Sequence, residues 1–518
     1  MKTINSILST AIVTVICAWL TTGCTKKLEE DPRANLTPGS YFTSQTDLDA
    51  AVAGMYVAIA RDGSWGFTSK MTSYFGSDDL TTDPALNKGD MREFDRLVGS
   101  SSNGSLPNQW VGPWVGIYNA NNIIANYSKV PALDPASIAA KNESAGNAYF
   151  IRALSYYYLV RTFGPVPIVL TPVEEVSTSY PRSSVDSVYQ AIISDLQKAK
   201  TMLTTTKKQG KPNVYAVSAI LSDVYLTMAG WPLNKTANYA LAAAEADFVI
   251  QNGRYDTNTP YDKVFSTNNC SESIFALQYS VGGNLPNRSF GSTSIPLEEL
   301  ALNGNSGWDD FYPEINFFKA APVCTRTDLT FHTTIKIRNA DKVTYTLVPW
   351  NSPATHAQHP YYEKFRAGLN GDGVNETANT IIDMQPSTNK ETIIIRYPQV
   401  LLNYAEASAM AGGGPTTQGY AAINQVRARA GEAPLTPALG QIAFRDAVVF
   451  ERAYECAGEF GVRWFDIVRL QLLPQVSASR DATENPIPAG TDFSKKYLAP
   501  IPLSEFSVNP SWTQNPGY

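Results

Sequence analysis

Polar positions all but vanish from one stretch of this chain. In NAYFIRALSYYYLVRTFGPVP, residues 147–167, only Arg152 and Ser155 are clearly polar between positions 148 and 160, and no Gly or Pro interrupts that run. At 1.5 Å rise per residue the run predicts a helix of about 20 Å, stopped at Phe163-Gly164-Pro165. A helix apolar on nearly every side must be covered by other helices. One this short and rich in Tyr does not span a bilayer. Arg152 on such a surface requires a buried partner.

Helical spacing recurs at 47–60, 183–203, 213–229 and 238–250, the second of these with Ser/Asp capping residues. Three successive hairpins of similar length resemble tetratricopeptide-type pairs, although the Trp/Gly/Pro consensus is not well kept. Trp110, Trp114 and Tyr118 fall at i, i+4, i+8 and predict packing between helices, with a binding face as the alternative. Residues 61–107 form a long polar segment containing Trp65 and Tyr74, of the kind that is functional or disordered. From 254 to 392 helical periodicity fades, and short alternating runs at 335–337 and 343–348 predict strands. Helices return at 397, at 420–431 and over 441–470, and 497–518 is extended. The predicted class is mainly α: a tetratricopeptide-like helical-hairpin superhelix over 46–253, then a part over 254–518 that begins irregular and loop-rich with a few short strands. The two are expected to pack as one body.

The first residues change the picture of where the chain works. Lys2, an apolar run over 4–20 and Thr21-Thr22-Gly23-Cys24 predict a lipoprotein signal over 1–23, with Cys24 as the acylated residue and 24–45 as a tether. An uncleaved membrane anchor is the competing reading, because Thr21 stands where such signals carry Leu. Glu29-Glu30-Asp31 resembles the acidic stretch that sends lipoproteins of Bacteroidetes-type bacteria to the outer face of the cell. Hydrophobic content of 43% against 17% charge supports a large core. A net charge of −6 without a basic run argues against nucleic acid as partner. Cys270, Cys324 and Cys456 remain after the signal, and a Cys270–Cys324 disulfide is one option.

The chemistry-bearing residues are sparse. There are three histidines, and no zinc-protease, nucleophile-elbow or phosphate-loop motif. His356 and His359 in THAQHP read as a surface loop rather than a shared metal site. Residues 370–376, NGDGVNE, have the oxygen ligands of a Ca²⁺ loop but depart from the EF-hand pattern. Glu451, Glu455 and Glu459 align on one helical face, as paired carboxylates for glycoside hydrolysis would. Arg445, Arg452 and Arg463 beside them favour an Arg–Glu lattice that ties helices together. No catalytic residue and no cofactor or metal is predicted. Trp65 in DGSWGF and Trp308 in GNSGWDDFYP, flanked by glycines, are candidate sugar platforms, unless each ring merely plugs its loop onto the body.

Several segments, in order, resemble the SusD/RagB family of surface nutrient-binding lipoproteins: Cys24 with LEEDP behind it, YFTSQTDLDAAVAGMY, WVGIYNANNIIAN and NAYFIRALSYYYLVRTFGPVPIV. RYPQVLLNYAEA, INQVRARAG, ERAYECAGEFGVRWFDIVR and YLAPIPLSEFSVNPSWTQNPGY follow. The run CAGEFG at 456–461 departs from the Leu-Ala-Phe-Glu-Gly sequence common in that family. The resemblance implies four tetratricopeptide-like helix pairs, no catalysis, and a lipid-anchored place on the outer face of the outer membrane. It implies capture of oligosaccharides for a SusC-like TonB-dependent transporter, or of peptides in RagB-like members. By region it implies Trp65, Asp79, Arg92, Trp308, Tyr312 and Trp350 as ligand-binding candidates.

Overall fold

A computed structural model of the protein describes residues 41–64, 68–84, 86–173, 180–285, 287–288, 292–301, 304–366 and 388–518. The signal, Cys24, Trp65 and the 370–376 run lie outside these.

The organising helix is longer than its apolar stretch. It runs over Pro135–Phe163 (α4), with α1 (Gln45–Ala60), α2 (Gly89–Asp95) and α3 (Leu106–Asn126) before it. Asp134 caps it, accepting from the N–H groups of Ala136 and Ser137 at 2.9 and 3.1 Å, and Pro135 takes the first turn, where a missing N–H costs nothing. Gly164 ends it at φ +71°. The polar first turns, PASIAAKNE, hid this start from hydrophobic periodicity. From Ser144 onward nearly every side chain is buried, against α3 on one side and α5 (Val185–Met202) on the other. Trp110 of α3 packs edge-on against Phe163 at 5.0 Å, while Tyr118 at the far end of the same stripe is exposed.

Helix pairing then crosses the sequence. α6 (Val214–Ala229) packs on α7 (Asn238–Asn252), and the next partner of α7 is α9 (Tyr397–Gly412), after the short α8 (Thr325–Thr330). α10 (Thr417–Ala430) and α11 (Gln441–Glu455) pack on α9 in turn. The chain leaves and rejoins this stack at one antiparallel pair, β1 (Ser273–Leu277) with β6 (Thr392–Arg396). Between them β2 (Phe331–His332) pairs with β5 (Tyr361–Tyr362), and β3 (Thr334–Arg338) with β4 (Tyr345–Pro349). Phe275, Phe311, Phe331 and Tyr362 of this excursion join the same hydrophobic cluster as Phe150 and Tyr156 of α4.

Two expectations are corrected and one open option is settled. The helix anticipated over 441–470 breaks between α11 and α12 (Val462–Arg469), where Gly458 and Gly461 both sit at φ +74° and a Cβ would strike the rings of Tyr362 and Tyr74. The long polar segment over 61–107 is not disordered throughout: residues 70–83 are buried without a break. Cys270 and Cys324 are free thiols, buried like Cys456.

The glutamate row is a lattice, built with other arginines than its neighbours in sequence. Glu455 accepts from Arg326 at 3.2 Å and also from Arg396 and Arg429; Glu459 takes Arg396 at 2.9 Å and Lys364 at 2.7 Å; Glu451 takes Arg427 at 2.8 Å. Arg452 instead bridges Glu406 and Asp466, and Arg463 holds Asp78. Burial opposes charge on Glu455, but Arg429, Arg396 and Arg326 outweigh it and hold the carboxyl far below its ordinary range. Such an acid neither gives nor takes a proton near neutrality. Among the described residues no helix is long and apolar enough to cross a membrane.

Candidate functional site

Two polar segments distant in sequence meet at an open cleft of about 460 Å³. Asn87 and Lys88 come from a 3₁₀ turn, and Asp90 and Met91 from α2, with Ser105 ahead of α3. Leu297, Ser306, Gly307, Trp308 and Asp310 come from the excursion.

The place of Trp308 is dictated by its neighbours. Gly307 runs against the backbone of residues 295–296, so that a Cβ there would collide with the carbonyl oxygens of Ile295 and Pro296. The N–H groups of Trp308, Asp309 and Asp310 donate to Ser292, Ile295 and Thr293 carbonyls at 2.7, 3.2 and 2.9 Å. Asp310 is buried and paired with Lys88, and its own carbonyl accepts from the Thr82 hydroxyl at 2.7 Å. Asp309 is buried on the other side, where its Oδ1 accepts from the Tyr361 hydroxyl and from Leu297 N–H. Burial pushes the Asp309 carboxyl up to about 6 despite the Tyr361 bond. Two acids drawn inward thus fix the backbone of a tryptophan that stays partly exposed.

The indole, Leu297 and Met91 offer apolar surface; Asn87, Ser105, Ser306, Asp90 and Lys88 offer donors and acceptors around it. That mixture suits a polyhydroxylated ligand, whose C–H face stacks on a ring while its hydroxyls take hydrogen bonds.

The other candidates do not gather here. Asp79 is buried, accepting from Ser77 Oγ at 2.5 Å and Gly458 N–H at 2.9 Å, with burial pushing its carboxyl up to about 6. Tyr312 is buried, its ring 4.5 Å from that of His359 and its backbone bridged to Thr81. Trp350 packs edge-on against Phe318 at 5.6 Å. Arg92 follows Met91 on α2, and its guanidinium donates to the Pro84 carbonyl. Lys88, Asn87 and Ser105 went unnoticed in the sequence; the long polar segment that holds them was the only signal. His356 and His359 part company, His359 lying 2.8 Å from Glu484.

Residues 271–518 match a family model described as the SusD family, and residues 27–226 match one described as "Starch-binding associating with outer membrane". "SusD-like protein P2" of Formosa agariphila is 28% identical over 533 residues, covering 98% of this chain and 99% of its own length. A SusD homolog from Bacteroides thetaiotaomicron superposes with a TM-score of 0.79 at 20% identity, over 93% of this chain and 98% of that one. "Surface glycan-binding protein A" from Bacteroides uniformis reaches a TM-score of 0.72 at 20% identity, over 91% and 99%.

Proposed function

The chain belongs to the SusD family, and from that premise we propose that it captures oligosaccharides at the Trp308 cleft, on the outer face of the outer membrane. The observation that carries the reading is the cleft itself, an aromatic platform with a polar rim assembled from both matched regions. In this reading an acylated Cys24 tethers the protein and a SusC-like TonB-dependent transporter receives the captured ligand. The catalytic alternative loses its acid, because Glu455 is sealed and committed to three guanidinium groups.

Isothermal titration against a panel of oligosaccharides tests the reading. A shallow, solvated cleft predicts dissociation constants of roughly 1 µM to 1 mM. Trp308→Ala should weaken binding about tenfold or more while the melting temperature stays within a few degrees. Flat heats with every sugar, alongside retention of oligopeptides in native mass spectrometry, would move the assignment to a peptide-capturing lid. Failure of a membrane-impermeant label to reach the protein on intact cells would remove the surface location.

A further inference from the structure

A second cleft, of about 650 Å³, opens where the loop at residues 204–213 meets the end of α7 and the approach to β1. It shares no lining residue with the Trp308 cleft and is the roomier of the two. Two cations line it, Lys207 from the loop and Arg254 just beyond α7, and no aspartate or glutamate does. In a chain of net charge −6 that is a local reversal of sign. Around Trp308 the balance is the opposite: Lys88 is neutralised by Asp310, which leaves Asp90.

Both cations of the second cleft have donors to spare. The Lys207 ammonium donates once, to the Cys270 carbonyl at 3.0 Å, which leaves two of its three N–H groups. Two carboxylates whose charge Lys207 feels are engaged elsewhere, Asp256 by Ser271 and Asn258 and Glu391 by Gln278. The Arg254 guanidinium is exposed and has no hydrogen bond or ion pair with any described residue. Arg254 also takes φ +54°, the left-handed region that Gly or Asn enters at less cost. The end of α7 would by itself favour one cation. It calls for neither a second cation nor an open cleft around both. Tyr215, half-buried and tilted against Phe248 at 5.7 Å, lines the same cleft beside Thr205 and Thr206. A ring for C–H faces, hydroxyls for hydroxyls and a cation pair for one anionic group make a site of mixed chemistry.

We propose that this cleft is a second glycan site, selective for oligosaccharides that carry a carboxylate or a sulfate ester, with Lys207 and Arg254 clamping the anionic group and Tyr215 beside the neighbouring sugar. That a sugar bears the anion rests on the glycan reading above; the sign of the site does not.

Isothermal titration of wild type, Trp308→Ala and Arg254→Asn with tetragalacturonate, a sulfated galactan tetrasaccharide and neutral cellotetraose tests the site. Asn accepts the left-handed backbone while removing the charge, so the melting curve should not move. At least one acidic ligand should bind wild type and Trp308→Ala alike. It should lose affinity about tenfold or more in Arg254→Asn, and in Lys207→Met, which keeps the apolar stem. Its binding should also weaken as sodium chloride rises from about 50 to about 500 mM. Acidic ligands bound equally by Arg254→Asn, or bound only while Trp308 is present, would overturn the site and leave the Trp308 reading standing. Silence toward every sugar, neutral or acidic, would remove both.

Discussion

Arg152, 3% exposed on α4, spreads its guanidinium over both Asp195 oxygens at 2.7 and 2.8 Å, Asn121 at 2.7 Å and the Leu170 carbonyl at 2.9 Å. Arg152→Ala strands the buried Asp195 charge and should cost about 3–5 kcal/mol. Urea unfolding reads this, and a loss under about 1 kcal/mol would mean that Asp195 finds water or another donor. That Arg152 needs a partner is written in the apolar run around it; that the partner is Asp195 is not, because Asp195 occupies an unremarkable position on an amphipathic helix. Asp79 and Tyr312 teach the converse. Both stand in polar, glycine-containing surroundings that suggest a loop surface, yet their segments bury by satisfying polar groups internally, which composition does not reveal. The exposure of Trp308 was read from its glycines for a partly mistaken reason. Gly304, at φ +88°, makes the exposed turn, whereas Gly307 is there because two carbonyls leave no room for a side chain.

At the scale of elements, the β2–β5 pair carries an ion-pair network of its own. His332 on β2 lies 2.9 Å from Glu299 and 2.6 Å from Glu363, and Arg366 lies 2.6 Å from Glu299. Burial opposes ionisation of Glu299, but Arg366 and His332 prevail and hold it at about 2; burial opposes Glu363 too, and His332 holds it at about 2. Burial and Arg366 press His332 downward, and the two glutamates lift it above its ordinary 6.5. The depressed carboxylates therefore contribute fully above 4.5 and are lost as pH falls toward 2. The raised histidine contributes fully below 6.5 and is lost as pH climbs through its folded value. The stability gap between wild type and His332→Gln should be widest between these limits and narrow on both sides; a gap constant from pH 5 to about 9 would show that the ring acts by packing. The long helices were legible, since period 3.6 survives in a single sequence, whereas the short helices Gly89–Asp95, Thr325–Thr330 and Leu503–Val508 fell in segments read as polar, irregular or extended. Helix ends were not: the polar start of α4 and the break before α12 depend on a cap and on two ring contacts that tertiary structure supplies.

Across the whole molecule the main core accepts residues from Phe42 to Ile501, among them Phe311, Phe331 and Phe365, so the excursion between β1 and β6 is part of the folded body although it carries two small clusters of its own. Hydrogen exchange follows from this. Amides of residues 70–83, polar by composition, should be protected nearly as well as those of α4, because Ser73 donates to Gln109 at 3.2 Å and Thr81 to Tyr312 at 2.9 Å deep in the fold. Exchange there as fast as at the Leu133 turn, which is fully exposed, would place the segment outside the cooperative core. The helical class was readable from hydrophobic spacing; the Trp308 cleft and the Lys207–Arg254 cleft were not, because each joins positions from separate parts of the chain that only folding brings together. The antiparallel clasp of β1 with β6 carries a last consequence. Departure and return lie side by side, so the closing of this long loop is borne by one short ladder, and pulling β6 from β1 would free both ends of the excursion at once.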